Sequence, residues 1–250
     1  MEASGNLAGR YRGCVTSDLA TIRAVAALDE DLRRGMYAFI RDAGRPVTRE
    51  EAAAAVGISR KLAAFHLDKL VAAGLLRARY ETVGGVRKVG RAPKVYEPAA
   101  TDFAISIPPR QPDVLAAILV DAVASAAPGE PARDAALREA GRHGAAAGAA
   151  ERERSRPGRL GTERGLTLTS TVLARHGFEP NRETPVCLRL RNCPFQPLAG
   201  RAPDLVCGMT DRFLSGVVEG LQVPGVTTAR VAPRDGGCCV ELRGTESAGS

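Results

Sequence analysis

The stretch from Glu51 to Leu76 constrains this chain more than any other. An alanine-rich helical run leads to Gly57, Ser59 follows as a cap, and a second run places Ala63, Leu67 and Leu70 at the spacing that buries one helix face. The opposite face of the second run is polar and basic. This is the pattern of a helix-turn-helix, in which the first helix packs, glycine bends the turn, and the second helix is left free to enter a DNA groove. Thr48 and Glu51 form a capping box ahead of the first helix, each satisfying an amide that a helix N-terminus leaves orphaned. Ser59 is a natural N-cap for the second.

The flanks extend the pattern. Leu28, Leu32, Met36, Phe39 and Ile40 make a helical stripe over 28–43 that Gly44 and Pro46 end. After Gly74, Leu75 to Tyr80 reads as a strand, Val83 to Arg91 as a glycine-containing hairpin, and Lys94 to Glu97 as the returning strand, which makes the module a winged helix. On the second helix, Ser59, Arg60, Lys61, Ala64 and Phe65 occupy the outward side of the first two turns, where base edges are read, and Lys69 follows on the same helix. Arg87, Lys88 and Arg91 fall at the wing tip, placed for the sugar-phosphate backbone or a minor groove. Two plainer readings stand beside these. Phe65 is equally read as a partly buried core aromatic, and the hairpin as a solvated loop with incidental charge. His66 is read as a packing residue.

Charge is distributed to match. The chain carries a net charge of +7, and the span from Asp31 to Glu97 alone holds 14 Lys or Arg against 7 Asp or Glu, so the rest sums to zero. Concentrated positive charge is what phosphate neutralisation at a docking face requires. With 44% hydrophobic and 25% charged residues the chain is expected to fold into globular domains. It has no apolar run long enough for a membrane span and no secretory signal, so a cytoplasmic location with reduced thiols is expected.

The expected organisation is α+β: an N-terminal arm over 1–27, the winged helix-turn-helix over 28–98, a helical linker and dimerisation region over 99–182, a cysteine-containing α+β sensor domain over 183–243, and a tail over 244–250. In the sensor domain a strand is expected from Cys187, a break at Cys193-Pro194-Phe195, a helix over 203–221, and strands near 226–231 and 238–242. Five of the six cysteines lie there, and Cys14 stands alone in the arm.

A winged helix followed by Asn192-Cys193-Pro194-Phe195, Val206-Cys207-Gly208-Met209, an apolar helix with Gly216 and Gly220, and Cys238-Cys239-Val240 resembles the ArsR-type regulators related to SufR. The resemblance spans nearly the whole chain. It implies a homodimeric repressor of double-stranded DNA operators that holds an iron-sulfur cluster through Cys193, Cys207 and one or both of Cys238 and Cys239.

The residues bear on this independently. Cys207 is placed in the first turn of its helix, where the helix dipole and nearby Arg201 would favour thiolate, the metal-binding form. Cys238 and Cys239, adjacent in an expected strand, would point to opposite faces, so one of them serves a given site more easily than both. Cys187 shares parity with Cys193 and is a candidate fourth ligand. Buried core thiols, zinc, or reversible thiol oxidation are the alternatives; paired C-x2-C knuckles of the zinc-ribbon kind are absent, which weighs against zinc. His143 and His176 are read as structural, having no second ligand at a fitting spacing. With no motif joining a histidine to a cysteine, and no phosphate loop, an enzyme is not expected. A regulator that senses a small organic ligand, with structural cysteines, is the other function class.

Overall fold

The computed structural model describes residues 18–81, 92–107, 109–232 and 237–245. Its contacts divide the chain into two units, one ending at Ile105 and the other beginning at Ser106. Both are mixed helix and antiparallel sheet, an α+β class.

In the first unit, α1 (Asp18–Ala27) and α2 (Asp31–Asp42) precede β1 (Val47–Thr48), α3 (Arg49–Ala55), α4 (Arg60–Ala72), β2 (Leu76–Tyr80) and β3 (Lys94–Pro98). The capping box forms: the Glu51 amide donates to the Thr48 hydroxyl at 3.3 Å, and the Thr48 amide donates to the Glu51 carboxylate at 2.7 Å. Arg45 and the Thr48 amide together hold the Glu51 carboxyl down at about 2. Gly57 turns the chain with φ +69°, and Ser59 caps α4 by accepting the Leu62 amide. Ala63, His66, Leu67 and Leu70 of α4 are buried against Met36, Ile40 and Ala52, so the expected inward face is the real one.

The three strands form one antiparallel sheet in the order β1-β3-β2, with Leu76 opposite Pro98 and Tyr80 opposite Lys94. The connection between β2 and β3, with Arg87, Lys88 and Arg91, lies outside the described residues, as do Cys14 and most of the arm. Residues 99–105 belong with this unit, since the Ala99 amide donates to Leu75 and Phe103 packs on its core.

The second unit contains α5 (Pro112–Ala124), α6 (Ala132–Ser155), α7 (Thr162–Arg175), β4 (Pro180–Thr184), β5 (Cys187–Leu190), α8 (Leu198–Arg201), α9 (Pro203–Leu221), β6 (Val226–Arg230) and β7 (Val240–Gly244). Its sheet is antiparallel in the order β4-β5-β7-β6. Composition separates residues 99–182 from 183–243, but α5, α6 and α7 share one core with α9 and the sheet: Leu115, Ile118, Ala140, Leu166 and Leu173 lie in the same buried cluster as Phe213, Val217, Leu188 and Val240. Helices that read as a linker are therefore half of a domain. No helix among the described residues is long and apolar enough to cross a membrane.

The closest packing joins α6 to α9. A Cβ on Gly144 would overlap the Phe213 carbonyl, and one on Gly216 would overlap the Gly141 carbonyl. Glycine at these positions lets the two backbones touch, with carbonyl oxygens against Cα hydrogens. Gly216→Val is expected to cost about 3 kcal/mol of stability, read from denaturant unfolding. Gly200→Ala, where a Cβ meets only an ordinary contact at 3.8 Å, should leave the Tm unchanged or raise it.

Candidate functional site

Two constellations carry chemistry, one in each unit. In the first, Ser59, Arg60, Lys61, Phe65 and Lys69 are exposed along α4 and Ala64 is half-buried between them. All six of the residues expected on this helix therefore lie off its packed face. Arg60 pairs with Glu50 of α3, Nε to Oε1 at 2.7 Å. Lys69 Nζ stands 5.5 Å from the centroid of the Phe65 ring, a cation–π contact. Phe65 is 55% exposed, so the reading of it as a core aromatic is set aside. His66 is buried, and its Nδ1 lies 3.4 Å from the Glu30 carboxylate that caps α2. Leu62, 41% exposed and one turn before Phe65, has the same outlook and was not singled out by sequence, because a leucine in a helical run reads first as core.

The second constellation is made of thiols. All five described cysteines are free. Cys193 sits in the loop after β5, Cys207 on α9, and Cys238 and Cys239 just before β7. Their thiols act on one another's protons in the order Cys193, Cys238, Cys239, Cys207, with Cys238 between Cys193 and Cys239 and Cys207 beside Cys239. Cys193 and Cys238, 45 positions apart, are thus neighbours, and the four expected ligands come together.

The loop at Cys193 is held by neighbours on every side. The Asn192 side chain is buried, accepting the Glu179 amide at 2.7 Å and donating to the Gly177 carbonyl at 2.9 Å. Arg110 donates to the Cys193 carbonyl at 2.7 Å, and the Phe195 amide points at the Cys193 sulfur. The Cys238 amide donates to the Leu190 carbonyl, and the Cys239 carbonyl accepts from Val231, so the cysteine pair is tied between the ends of β5 and β6. Asn192, Arg110 and Arg230 were not anticipated. Asn192 could have been suspected from its place beside Cys193, whereas Arg110 and Arg230 lie 83 and 9 residues from the cysteines they serve.

Three expectations change. Cys207 is the fifth residue of α9, past the first turn, and burial followed by the hydrogen bond to Cys239 pushes its thiol up to about 12. It is a proton donor in the metal-free site, where a dipole-stabilised thiolate was expected. Cys238 and Cys239 precede β7, so strand alternation does not separate them and both join the row. Cys187 stays apart on β5, beside Glu241 and Glu183, with its thiol raised by burial; it is not brought to the others.

The charge pattern in the row alternates. The hydrogen bond from Cys238 lowers Cys193, and the same donor, with Cys207 and the Arg230 guanidinium, lowers Cys239 to about 6. Cys238, between two acceptors and buried, keeps its proton. A single tetrahedral zinc ion would draw thiolates to about 3.8 Å of one another from Zn–S bonds of about 2.3 Å. No three of these sulfurs lie within 4.8 Å of one another among the described residues.

One further group was missed. His143 Nε2 is 2.6 Å from Asp121, and with Glu139 these three bring ligand-type atoms within 4.8 Å. Glu139 is fully buried, yet Arg142 Nε stands 2.6 Å from its Oε2 and Arg138 pairs with its other oxygen, so the charge a cation would supply is already there. The cluster is an ion-pair network across α5 and α6. His176 Nδ1 donates to the Val172 carbonyl at 2.8 Å with its ring against Phe213, and burial lowers its pKa; it belongs to the core. The clefts available to a small organic ligand are open and partly charged, as in the one lined by Arg152, Arg159, Glu219 and Val223.

Comparison with protein-family models, curated proteins and solved structures gives no match for this chain.

The row predicts a titration. In reduced, metal-free protein, alkylation of Cys239 by iodoacetamide should rise through pH about 6, since a depressed pKa leaves thiolate present above it, against about 8.5 for a free thiol. Peptide mass spectrometry across pH reads this. A Cys239 profile that rises only near pH 8.5 contradicts the arrangement.

Proposed function

We propose that this chain is a sequence-specific DNA-binding transcriptional regulator, a dimeric repressor of the ArsR type related to SufR, whose grip on its operator is set by an iron-sulfur cluster or by the redox state of the same thiols. The observation that carries it is the convergence of Cys193, Cys207, Cys238 and Cys239 from three separate parts of the chain into one row.

Support for the DNA half comes from α4. Its packed face leaves Ser59, Arg60, Lys61, Ala64, Phe65 and Lys69 turned outward on a capped helix, and the sheet order β1-β3-β2 is the one a winged helix uses. Arg60 and Lys61 are assigned to base edges or phosphates, with Glu50 pre-orienting Arg60 before contact. Arg87, Lys88 and Arg91 keep their assignment to the backbone or minor groove.

Support for the sensing half comes from what the chain does around the thiols. Cys193 and Cys238 are buried, which keeps bulk water from one end of the row, while Cys207 and Cys239 are half-exposed at the other. Arg110 and Arg230 place positive charge beside thiolates that would otherwise repel one another. When bound, a cluster supplies an oxidant- and iron-sensitive centre. For the dimer, α5 offers an outward apolar stripe of Leu119, Val120 and Val123 on a helix whose other face is already buried through Leu115, Ile118 and Ala122. Two readers related by a two-fold axis would match half-sites about 34 Å apart.

The test is anaerobic purification with iron and sulfide analysis and an absorption spectrum, followed by operator binding before and after air. Brown protein with bound iron is expected, and Cys193→Ser should lose the colour and iron while Cys187→Ser keeps both. Colourless, iron-free protein from every anaerobic preparation would sink the cluster. Arg60→Ala or Lys61→Ala should weaken binding to a selected duplex by about 1 to 3 kcal/mol at fixed salt; an unchanged isotherm removes that residue from the interface.

A further inference from the structure

We propose that Phe65, with Leu62 beside it, reads thymine through its 5-methyl group, so that the operator half-site carries a T·A pair opposite the second turn of α4. The inference rests on the DNA-binding reading above and adds to it the base recognised.

Folding does not call for these two residues where they are. Ala63, His66, Leu67 and Leu70 already supply the buried face of α4, and Phe65 and Leu62 project from other sides, 55% and 41% exposed. A single exposed apolar residue is common and means little. Here two stand one helical turn apart, and their surroundings limit what can cover them. Arg60, Lys61 and Lys69 border them on the same helix, and Lys69 holds its ammonium 5.5 Å from the Phe65 ring centroid. An apolar protein surface laid over this face would bury Lys61 and Lys69 without an anionic partner, and the Arg60–Glu50 pair with them, at high cost. A nucleic-acid duplex offers phosphates to the cations and a groove floor to the ring.

The chemistry of that floor then selects the base. Phenylalanine has no donor or acceptor, so it cannot use the hydrogen-bonding code of the major groove; the apolar mark it can meet there is the thymine methyl. Ala64, small and half-buried beside Phe65, lets the helix come close enough for a ring to reach it. Lys61, one turn before Phe65, has no ion-pair partner among the described residues and is free to bind a neighbouring phosphate or guanine.

The test starts from the full-length chain and a duplex chosen by it from a random library. Each thymidine of that duplex is replaced in turn by 2′-deoxyuridine, which removes the methyl group and nothing else. One position in each half-site should then weaken binding by about three- to fivefold, the effect of burying one methyl group. In Phe65→Ala the dT and dU duplexes should bind alike, with the variant's melting temperature unchanged because the side chain is exposed. If the selected duplex binds tightly and dU is neutral at every position, or if Phe65→Ala keeps the dT preference, the methyl assignment is wrong while DNA binding stands. If no duplex is retained at all, the DNA reading itself fails.

Discussion

The approach of α6 to α9 is the contact on which the second unit is built. At Gly144, Gly148, Gly216 and Gly220 a side chain would enter the partner backbone, so the helices meet at main-chain distance and exclude water along their length. That contact fixes α9, and α9 carries Cys207. One turn of the same logic places the cation: Gly208 leaves room for Arg230 Nη2, 3.3 Å from where its Cβ would be, and Arg230 is the charge that favours thiolate at Cys239. A stripe of small residues chosen for packing thereby sets the geometry of the thiols.

The thiol row gains its character from sharing protons. Four neighbouring sulfurs cannot all ionise, since like charges at contact distance in a partly dry site repel strongly. The row resolves this by spreading the shifts: Cys238 and Cys207 are pushed up and hold their protons, while Cys193 and Cys239 are pushed down, Cys239 to about 6. Taking up a metal centre would remove the two remaining protons, so loading is expected to be coupled to pH. The same row without metal holds an acidified Cys239 next to protonated thiols, and thiolate is the form from which thiol exchange proceeds. The proposed cluster sensing and thiol sensing would thus draw on one site.

Much of the first unit was legible because its signals are local. The capping box of Thr48 and Glu51, the turn at Gly57, the Ser59 cap and the inward residues of α4 depend on neighbours within about four positions, and each appears as expected. In the second unit, α9 begins and ends where proline, apolar periodicity and the following Pro224-Gly225 place it. The strand β4 was not legible. Pro180-Asn181-Arg182-Glu183-Thr184 is polar throughout, as an edge strand can be, and carries no alternation to read. The grouping of α5, α6 and α7 with the sheet was also hidden, since an alanine- and glycine-rich helix reads the same as a linker or as half of a tight helix pair.

The sequence by itself determined which residue types are available and where helices start, turn and stop: a capped basic helix with one apolar face, and a set of cysteines beside proline and glycine. Tertiary structure decided which of them meet. It brought Cys193, Cys207, Cys238 and Cys239 together and left Cys187 out, turned Phe65 to solvent, and gave His143 an aspartate from the preceding helix. The physical reason is range. Caps and turns are settled by hydrogen bonds a few residues long, whereas thiol protonation and side-chain exposure depend on groups up to 83 residues away, as at Arg110 and Cys193, that only a folded core holds in place.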